Sequence, residues 1–123
     1  KKKEATHIPC MPPPSKKGNP RVTMQTSMGR ITVELFESEM PIAVSNFVAL
    51  TKETFYKGLH FHRIREDFLQ CGCPYSTELE NEKVGTGHAA PNSTFKHLKY
   101  EKEFETRGRM GNITDEFGYS KTG

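Results

Sequence analysis

The chain has 123 residues, of which 33% are hydrophobic and 27% are charged, and its formal net charge is +3. This length predicts one domain with a modest core, and the lack of any run of about 18 apolar residues excludes a membrane-spanning segment. The N-terminal residues lack the apolar stretch of a secretory signal peptide, and three cysteines are too few for a disulfide-stapled domain. We therefore expect an intracellular protein in a reducing compartment, the cytoplasm or the nucleus.

Residues 1–20 form a basic, proline-rich arm. They hold five lysines, one glutamate and five prolines, whereas residues 21–123 carry a net charge of −1. Because proline fixes φ near the polyproline II value, we expect an extended arm that reaches roughly 65 Å at about 3.3 Å per residue. Two interpretations stay open for it. The arm is either a solvated tail or a segment that docks on a partner protein or a nucleic acid by its charge.

Alternation of apolar and polar residues predicts a β-hairpin directly after the arm. Its strands cover about 21–26 and 31–36, and Gly29 supplies the conformation that the turn needs. Pro41 then begins a helix over about 41–53, because apolar residues recur at helical spacing and proline is favoured in the first turn. The apolar face consists of Ala43, Val44, Phe47, Val48 and Leu50.

The rest of the chain predicts two further strands and a long loop. The strands cover 59–64 and 68–71 with a charged link between them, and residues 76–112 are mostly loop. The predicted fold is therefore mainly β, an antiparallel sheet or barrel that one helix covers. Within the loop, the segment 85–87 is typical of a flexible turn. A solvated face is predicted for the charged run of Lys99, Glu101, Lys102, Glu103, Glu105 and Arg107.

Two other groups of residues have a functional and a plainer interpretation. The first group could bind a metal ion, but ordinary barrel histidines and free thiols explain it more simply; it contains His60, His62, Cys71 and Cys73. The pair Asp115-Glu116 could act as acid and base. A strand edge is the simpler interpretation of that pair.

A longer, ordered set of motifs resembles the cyclophilins, which are peptidyl-prolyl cis-trans isomerases. The resemblance covers about 21–117 and is carried by the segments 22–26, 29–36, 56–64, 72–76, 85–87 and 112–116, with Pro41, Asn46, Phe47 and Leu50 between them. It implies an antiparallel cyclophilin-like β-barrel capped by an α-helix over 21–123, with the C-terminal third of the domain missing. It also implies X–Pro peptide segments as substrates, cyclosporin-like ligands, and no cofactor or metal.

The resemblance implies a role for six residues of the segment 61–70. Arg63 would be the catalytic residue, Phe61 and His62 would pack and orient it, and the remaining three residues would bind the substrate. Phe68 and Leu69 would form an apolar floor for the proline ring, and Gln70 would hydrogen-bond the peptide backbone. The link after Arg63 is one residue shorter than is usual in the family, so either Gln70 or Cys71 faces the substrate.

Two functions of different classes remain open at this point. The first is an isomerase that assists folding or conformational switching by stabilising the twisted X–Pro amide. The alternative is a weakly active or inactive binding module, held in a larger protein or ribonucleoprotein assembly through residues 1–20. Because a barrel without one wall would leave strand edges unpaired, we also expect the 123-residue chain by itself to lack a stable, active fold.

Overall fold

The structure, a computed structural model, describes residues 13–100 and 102–116. The chain divides after Phe36 into two compact units. The described residues form six β-strands and one α-helix, which confirms the prediction of a mainly β chain with one helix. The strands pair as three separate two-stranded antiparallel sheets, and within these residues they do not close into a barrel. No helix in this part of the chain has the length and apolar character to span a membrane.

The first unit contains the hairpin predicted after the arm. Its strands are β1, Arg21–Thr26, and β2, Gly29–Glu34. Gly29 has a φ of 132°, a conformation that side chains other than glycine rarely adopt. The register brings the apolar side chains of both strands to one face, with Val22 opposite Val33 and Met24 opposite Ile31.

The arm is not extended where the structure describes it. Residues 15–18 form a turn, closed by the Asn19 N–H donating to the carbonyl oxygen of Lys16 at 3.2 Å. Gly18 has a φ of 95°, which permits this turn. The predicted extension of residues 1–12 lies outside the described residues.

The second unit begins with the predicted helix. Helix α1 covers Pro41–Lys52, within one residue of the prediction, and has proline in its first turn. The N–H groups of Ile42 and Ala43, which have no partner inside the helix, each donate to a carboxylate oxygen of Glu116 at 2.7 Å. Glu116 is buried and lies outside any strand, so the prediction of a strand edge at 115–116 is wrong.

The remaining strands are short. Strands β3, Arg63–Ile64, and β4, Leu69–Gln70, are shorter than the predicted strands at 59–64 and 68–71. The first is shorter because residues 59–62 pair with no strand in the described residues. Two strands were not predicted: β5, Thr94–Lys96, and β6, Phe104–Thr106, which both lie within residues 76–112, where a loop was expected. They pair antiparallel, and β5 packs against α1.

Much of the interior of the second unit is polar. The fully or nearly buried apolar side chains are Val44, Leu50, Cys73, Ala89 and Phe95. Alongside them lies Arg107, which is only 3% exposed, so the prediction of a solvated face is wrong at this position. Its Nε donates to Asn46 Oδ1 at 2.7 Å and its guanidinium stacks on Phe95 at 4.8 Å. These contacts replace part of the water that an arginine would otherwise bind, and Arg107 Nη2 is buried with no hydrogen-bond partner among the described residues.

Candidate functional site

The strands β3 and β4 hold three residues of the candidate site, Arg63, Leu69 and Gln70. In its antiparallel register Arg63 lies directly opposite Gln70, and Ile64 lies opposite Leu69. Residues directly opposite each other project to the same face, so Arg63 and Gln70 share one face. Both are exposed. The hairpin therefore presents a guanidinium beside a carboxamide to the solvent.

Phe68 lies next to this face between two guanidinium groups. The Arg65 N–H donates to the Phe68 carbonyl oxygen at 2.9 Å, which continues the pairing by one step. The guanidinium carbon of Arg63 lies 5.1 Å from the centre of the Phe68 ring, and that of Arg65 lies 5.7 Å from it. The ring is 40% exposed. An exposed cation–π contact contributes only about 0.5–1 kcal/mol. The contact with Phe68 therefore orients the Arg63 guanidinium, which stays exposed to solvent.

Leu69 lies on the other face of the same hairpin. It pairs with Ile64, and successive residues of a strand point to opposite faces. Leu69 is 59% exposed and Ile64 is 71% exposed. Phe68 and Leu69 therefore line different surfaces of the hairpin, and only Phe68 shares its surface with Arg63.

Cys71, the alternative to Gln70, lies near Tyr56. Burial raises the pKa of the Tyr56 hydroxyl, the neighbouring Cys71 raises it further, and Arg107 opposes the shift. The Tyr56 ring packs on Phe47 of α1 with ring centres 5.1 Å apart. Cys71 is therefore close to the aromatic cluster beside the helix, whereas Gln70 lies beside Arg63.

Phe61 and His62 are half-buried residues directly before Arg63. Both ring nitrogens of His62 are buried and have no hydrogen-bond partner among the described residues. The ring lies against Gly85, where an added Cβ would be 3.9 Å from His62 Cδ2. His62 thus joins the start of β3 to the segment 85–87.

That segment surrounds the Cys73 sulfur with N–H groups and is more than a flexible turn. The N–H groups of Gly85 and Gly87 each donate to Cys73 Sγ at 3.2 Å. Burial raises the pKa of the Cys73 thiol, but hydrogen bonds from the backbone N–H groups of Gly85, Gly87, Tyr75 and Thr86 outweigh it and leave the pKa below its ordinary value. Nothing in the spacing of these residues signals this arrangement.

The histidines and cysteines of this region take up separate positions. His60 Nδ1 lies 2.6 Å from the carbonyl oxygen of Ser76, at the 3₁₀ turn Pro74–Thr77. Cys71 is exposed and Cys73 is buried, and both are free thiols. In the part of the chain that the structure describes, no three histidine, cysteine or acidic side chains are grouped to hold a metal ion.

Comparison with known proteins decides the family. The sequence model of the family described as cyclophilin type peptidyl-prolyl cis-trans isomerase/CLD matches residues 21–117. The chain belongs to this family. The match covers the same residues as the resemblance in the sequence, which is thereby confirmed.

Individual cyclophilin-type relatives match parts of the chain. A peptidyl-prolyl cis-trans isomerase of Helicobacter pylori is 57% identical over 56 residues, which are 45% of this chain and 35% of the relative. The peptidyl-prolyl isomerase CWC27 of Cryptococcus neoformans is 45% identical over 94 residues, 76% of this chain and 18% of the relative. The chain thus spans about a third of the bacterial relative and under a fifth of the fungal one. No solved structure matches it.

The register of the site was within reach of sequence reasoning. Pairing Arg63 with Gln70, Ile64 with Leu69 and Arg65 with Phe68 leaves only Glu66 and Asp67 as a two-residue turn. Two-residue turns are the commonest hairpin connections, so the shortened link itself indicated this register. The position of Tyr56 beside Cys71 carries no such signal, because it depends on how the Tyr56 ring packs against Phe47 of α1.

Proposed function

We propose that this chain catalyses cis–trans isomerisation of X–Pro peptide bonds. The observation that carries the proposal is the pairing of Arg63 with Gln70 on one exposed face, beside the half-exposed Phe68 ring. Membership of the cyclophilin-type family supports it. A peptide laid along this face would meet a cation, an amide and an aromatic ring within one short hairpin.

The chemistry needs only a group that favours the twisted amide. Rotation about an X–Pro bond has a barrier of about 20 kcal/mol, because resonance delocalises the nitrogen lone pair into the carbonyl. In the transition state the prolyl nitrogen becomes pyramidal and accepts hydrogen bonds, whereas in the planar amide it does not. A guanidinium directed at this nitrogen therefore stabilises the transition state more than the substrate. Arg63 is permanently charged and exposed, which suits this role.

The neighbouring residues would bind and orient. The Phe68 ring offers an apolar surface for the proline ring, and the carboxamide of Gln70 would donate to and accept from the peptide backbone. The two residues directly before Arg63, Phe61 and His62, would hold its side chain in place. Leu69 would support the hairpin from the opposite face. It would therefore not form the apolar floor for the proline ring together with Phe68.

Family membership supports a proposal for the finer architecture. We infer that residues 21–123 form a cyclophilin-like domain in which the short hairpins belong to an antiparallel β-barrel capped by α1. The match over 21–117 supports this assignment. The paired strands of the three sheets would supply parts of the barrel wall. Cyclosporin-like compounds would then compete with X–Pro peptides for the surface around Phe68.

The arm provides the specific observation that favours a second role. Lys16 and Lys17 are exposed, and residues 1–20 carry a net charge of +4, whereas residues 21–123 carry −1. We infer that the arm docks the domain in a larger protein or ribonucleoprotein assembly by charge. The free thiols of Cys71 and Cys73 support a reducing compartment, the cytoplasm or the nucleus.

The test of the isomerase is a pair of arginine substitutions in the full-length protein. Arg63→Ala should lower kcat/KM on an X–Pro peptide about 100-fold or more, as loss of one transition-state donor commonly does. Arg63→Lys should restore little, because an ammonium lacks the planar fork of donors. The matched control is Arg65→Ala. It also removes a guanidinium from the Phe68 ring, but it leaves the guanidinium of Arg63 in place opposite Gln70. An Arg63→Ala protein with the wild-type rate would leave only the binding role.

A further inference from the structure

Four hydrogen bonds join Ser15 and Asn19 to the side-chain carboxylate of Glu34. The Ser15 N–H donates to Glu34 Oε1 at 3.0 Å and to Oε2 at 2.9 Å. The Ser15 hydroxyl donates to Oε2 at 2.6 Å, and Asn19 Nδ2 donates to the same oxygen at 2.6 Å. We call Ser15, Asn19 and Glu34 the clasp. It holds the turn at 15–18 against the last residue of β2.

The clasp depends on a negative carboxylate. Hydrogen bonds from the Ser15 hydroxyl, the Asn19 side chain and the Ser15 N–H, helped by the charge of Arg21, lower the pKa of Glu34 from its ordinary 4.5 to about 2. Every one of the four contacts is a donor to Glu34, so the clasp has no place for a second anion. Ser15 is exposed, so its hydroxyl can be reached from solvent.

We propose that Ser15 is a phosphorylation site and that its phosphoryl group opens the clasp. A phosphoserine carries a charge of about −1.5 to −2 at neutral pH and presents acceptor oxygens in place of the hydroxyl donor. Because the unmodified oxygen lies at hydrogen-bonding distance from Glu34, the phosphate would be pressed against the carboxylate. Two adjacent anions repel each other, and the shared donors cannot satisfy both.

The modification requires a protein kinase and a nucleoside triphosphate. The Ser15 oxygen attacks the γ-phosphorus, the bond from that phosphorus to the bridging oxygen breaks, and the nucleoside diphosphate leaves. The hydroxyl proton passes to the general base of the kinase. The net charge of residues 1–20 falls from +4 to about +2, so modification both frees residues 15–19 and weakens the attraction of the arm to acidic partners.

The effect can be measured on the full-length protein with phosphoserine incorporated at position 15. We expect exchange of the Ser15 amide proton to accelerate at least about tenfold, since its two bonds to Glu34 are lost. The backbone of residues 15–19 should gain fast motion in nitrogen-15 relaxation. Phosphoserine at Ser27 is the matched control, because that residue lies in the turn at the other end of the same hairpin. It should leave both measurements unchanged.

Repulsion is separated from simple loss of a donor by two further variants. Ser15→Ala removes the hydroxyl but adds no charge, so it should loosen the clasp less than phosphoserine does. In a Glu34→Gln chain, phosphoserine at position 15 should have a smaller effect than in the wild type, because an amide does not repel the phosphate. Equal effects in the two backgrounds would overturn the repulsion mechanism.

Two results would overturn the proposal as a whole. If phosphoserine slows exchange of the Ser15 amide, the phosphate is bound by neighbouring lysines and closes the arm instead of opening it. If the protein isolated from the cells that make it never carries a phosphoryl group on the peptide containing Ser15, the site is not used. Either result leaves the proposed role of Arg63 untouched, because that role is argued only from residues of the second unit.

Discussion

The two units of the chain are ordered by different means. The first unit has a regular hairpin of two six-residue strands whose apolar side chains are half-buried or exposed. The described part of the second unit has strands of only two or three residues, and five polar side chains are buried in it. Backbone pairing organises the first unit, whereas side chains that bond to distant backbone groups organise much of the second.

Three side chains in the second unit show this use of buried polar groups. Glu116 accepts from two N–H groups at the start of α1. Ser45 Oγ accepts from the Leu98 N–H at 3.0 Å, and Ser76 Oγ accepts from the His60 N–H at 3.2 Å. Each side chain replaces a partner that a longer strand or helix would have supplied. Irregular backbone in this unit is therefore as dependent on single side chains as on packing.

The largest effect on stability should follow from removing the buried arginine. Arg107→Ala takes a hydrogen-bond donor from Asn46 Oδ1 and another from Ser93 Oγ, and it removes the stacking on Phe95. We expect the free energy of unfolding to fall by about 2–4 kcal/mol, measured by urea denaturation. Arg109→Ala is the control, because Arg109 is exposed two residues away. An unchanged midpoint for Arg107→Ala would mean that desolvation of its charge cancels these contacts.

A smaller effect is expected at the start of α1. Glu116→Gln keeps the shape of the side chain but replaces one acceptor oxygen by a donor, so it cannot serve both Ile42 and Ala43. The helix also loses a negative charge near its N-terminus. We expect a loss of about 1–2 kcal/mol. Asp115→Asn, at the exposed neighbouring position, should change stability by less than about 0.5 kcal/mol. Equal losses for both would remove the cap as the cause.

The difference between the units also explains what could be predicted from the sequence. The first hairpin and α1 follow from local patterns: alternation around Gly29, and apolar spacing after Pro41. The bonds from Glu116 to the helix join residues 74 and 73 positions apart, and no local pattern reports such a distance. Arg107 was assigned to the surface because charged residues are seldom buried. Strands β5 and β6 are too short for alternation to be recognised.

At the candidate site the register was predicted only as a choice between Gln70 and Cys71. The hairpin places Gln70 opposite Arg63, whereas Cys71 lies by Tyr56. We expect Gln70→Ala to weaken binding of an X–Pro peptide about five-fold, the equivalent of one hydrogen bond of about 1 kcal/mol. Cys71→Ala should change the Kd less than about two-fold. The reverse order, measured by calorimetry in the full-length protein, would mean that the register shifts when peptide binds.

The smallest expected effect concerns the clasp and its response to acid. The folded-state pKa of Glu34 is lowered from 4.5 to about 2, so its contribution to holding the arm is fully present above pH 4.5. As the pH falls, an ordinary carboxylate would take up its proton first, and Glu34 should do so only near pH 2. Protonation then replaces an acceptor by a donor that faces the donors of Ser15 and Asn19, and the turn at 15–18 should detach. Carbon-13 titration of the Glu34 carboxyl, read together with the Ser15 amide shift, tests this order. Coincident midpoints near pH 2 support it, whereas a Glu34 midpoint near 4.5 would show that the arm is not held in solution.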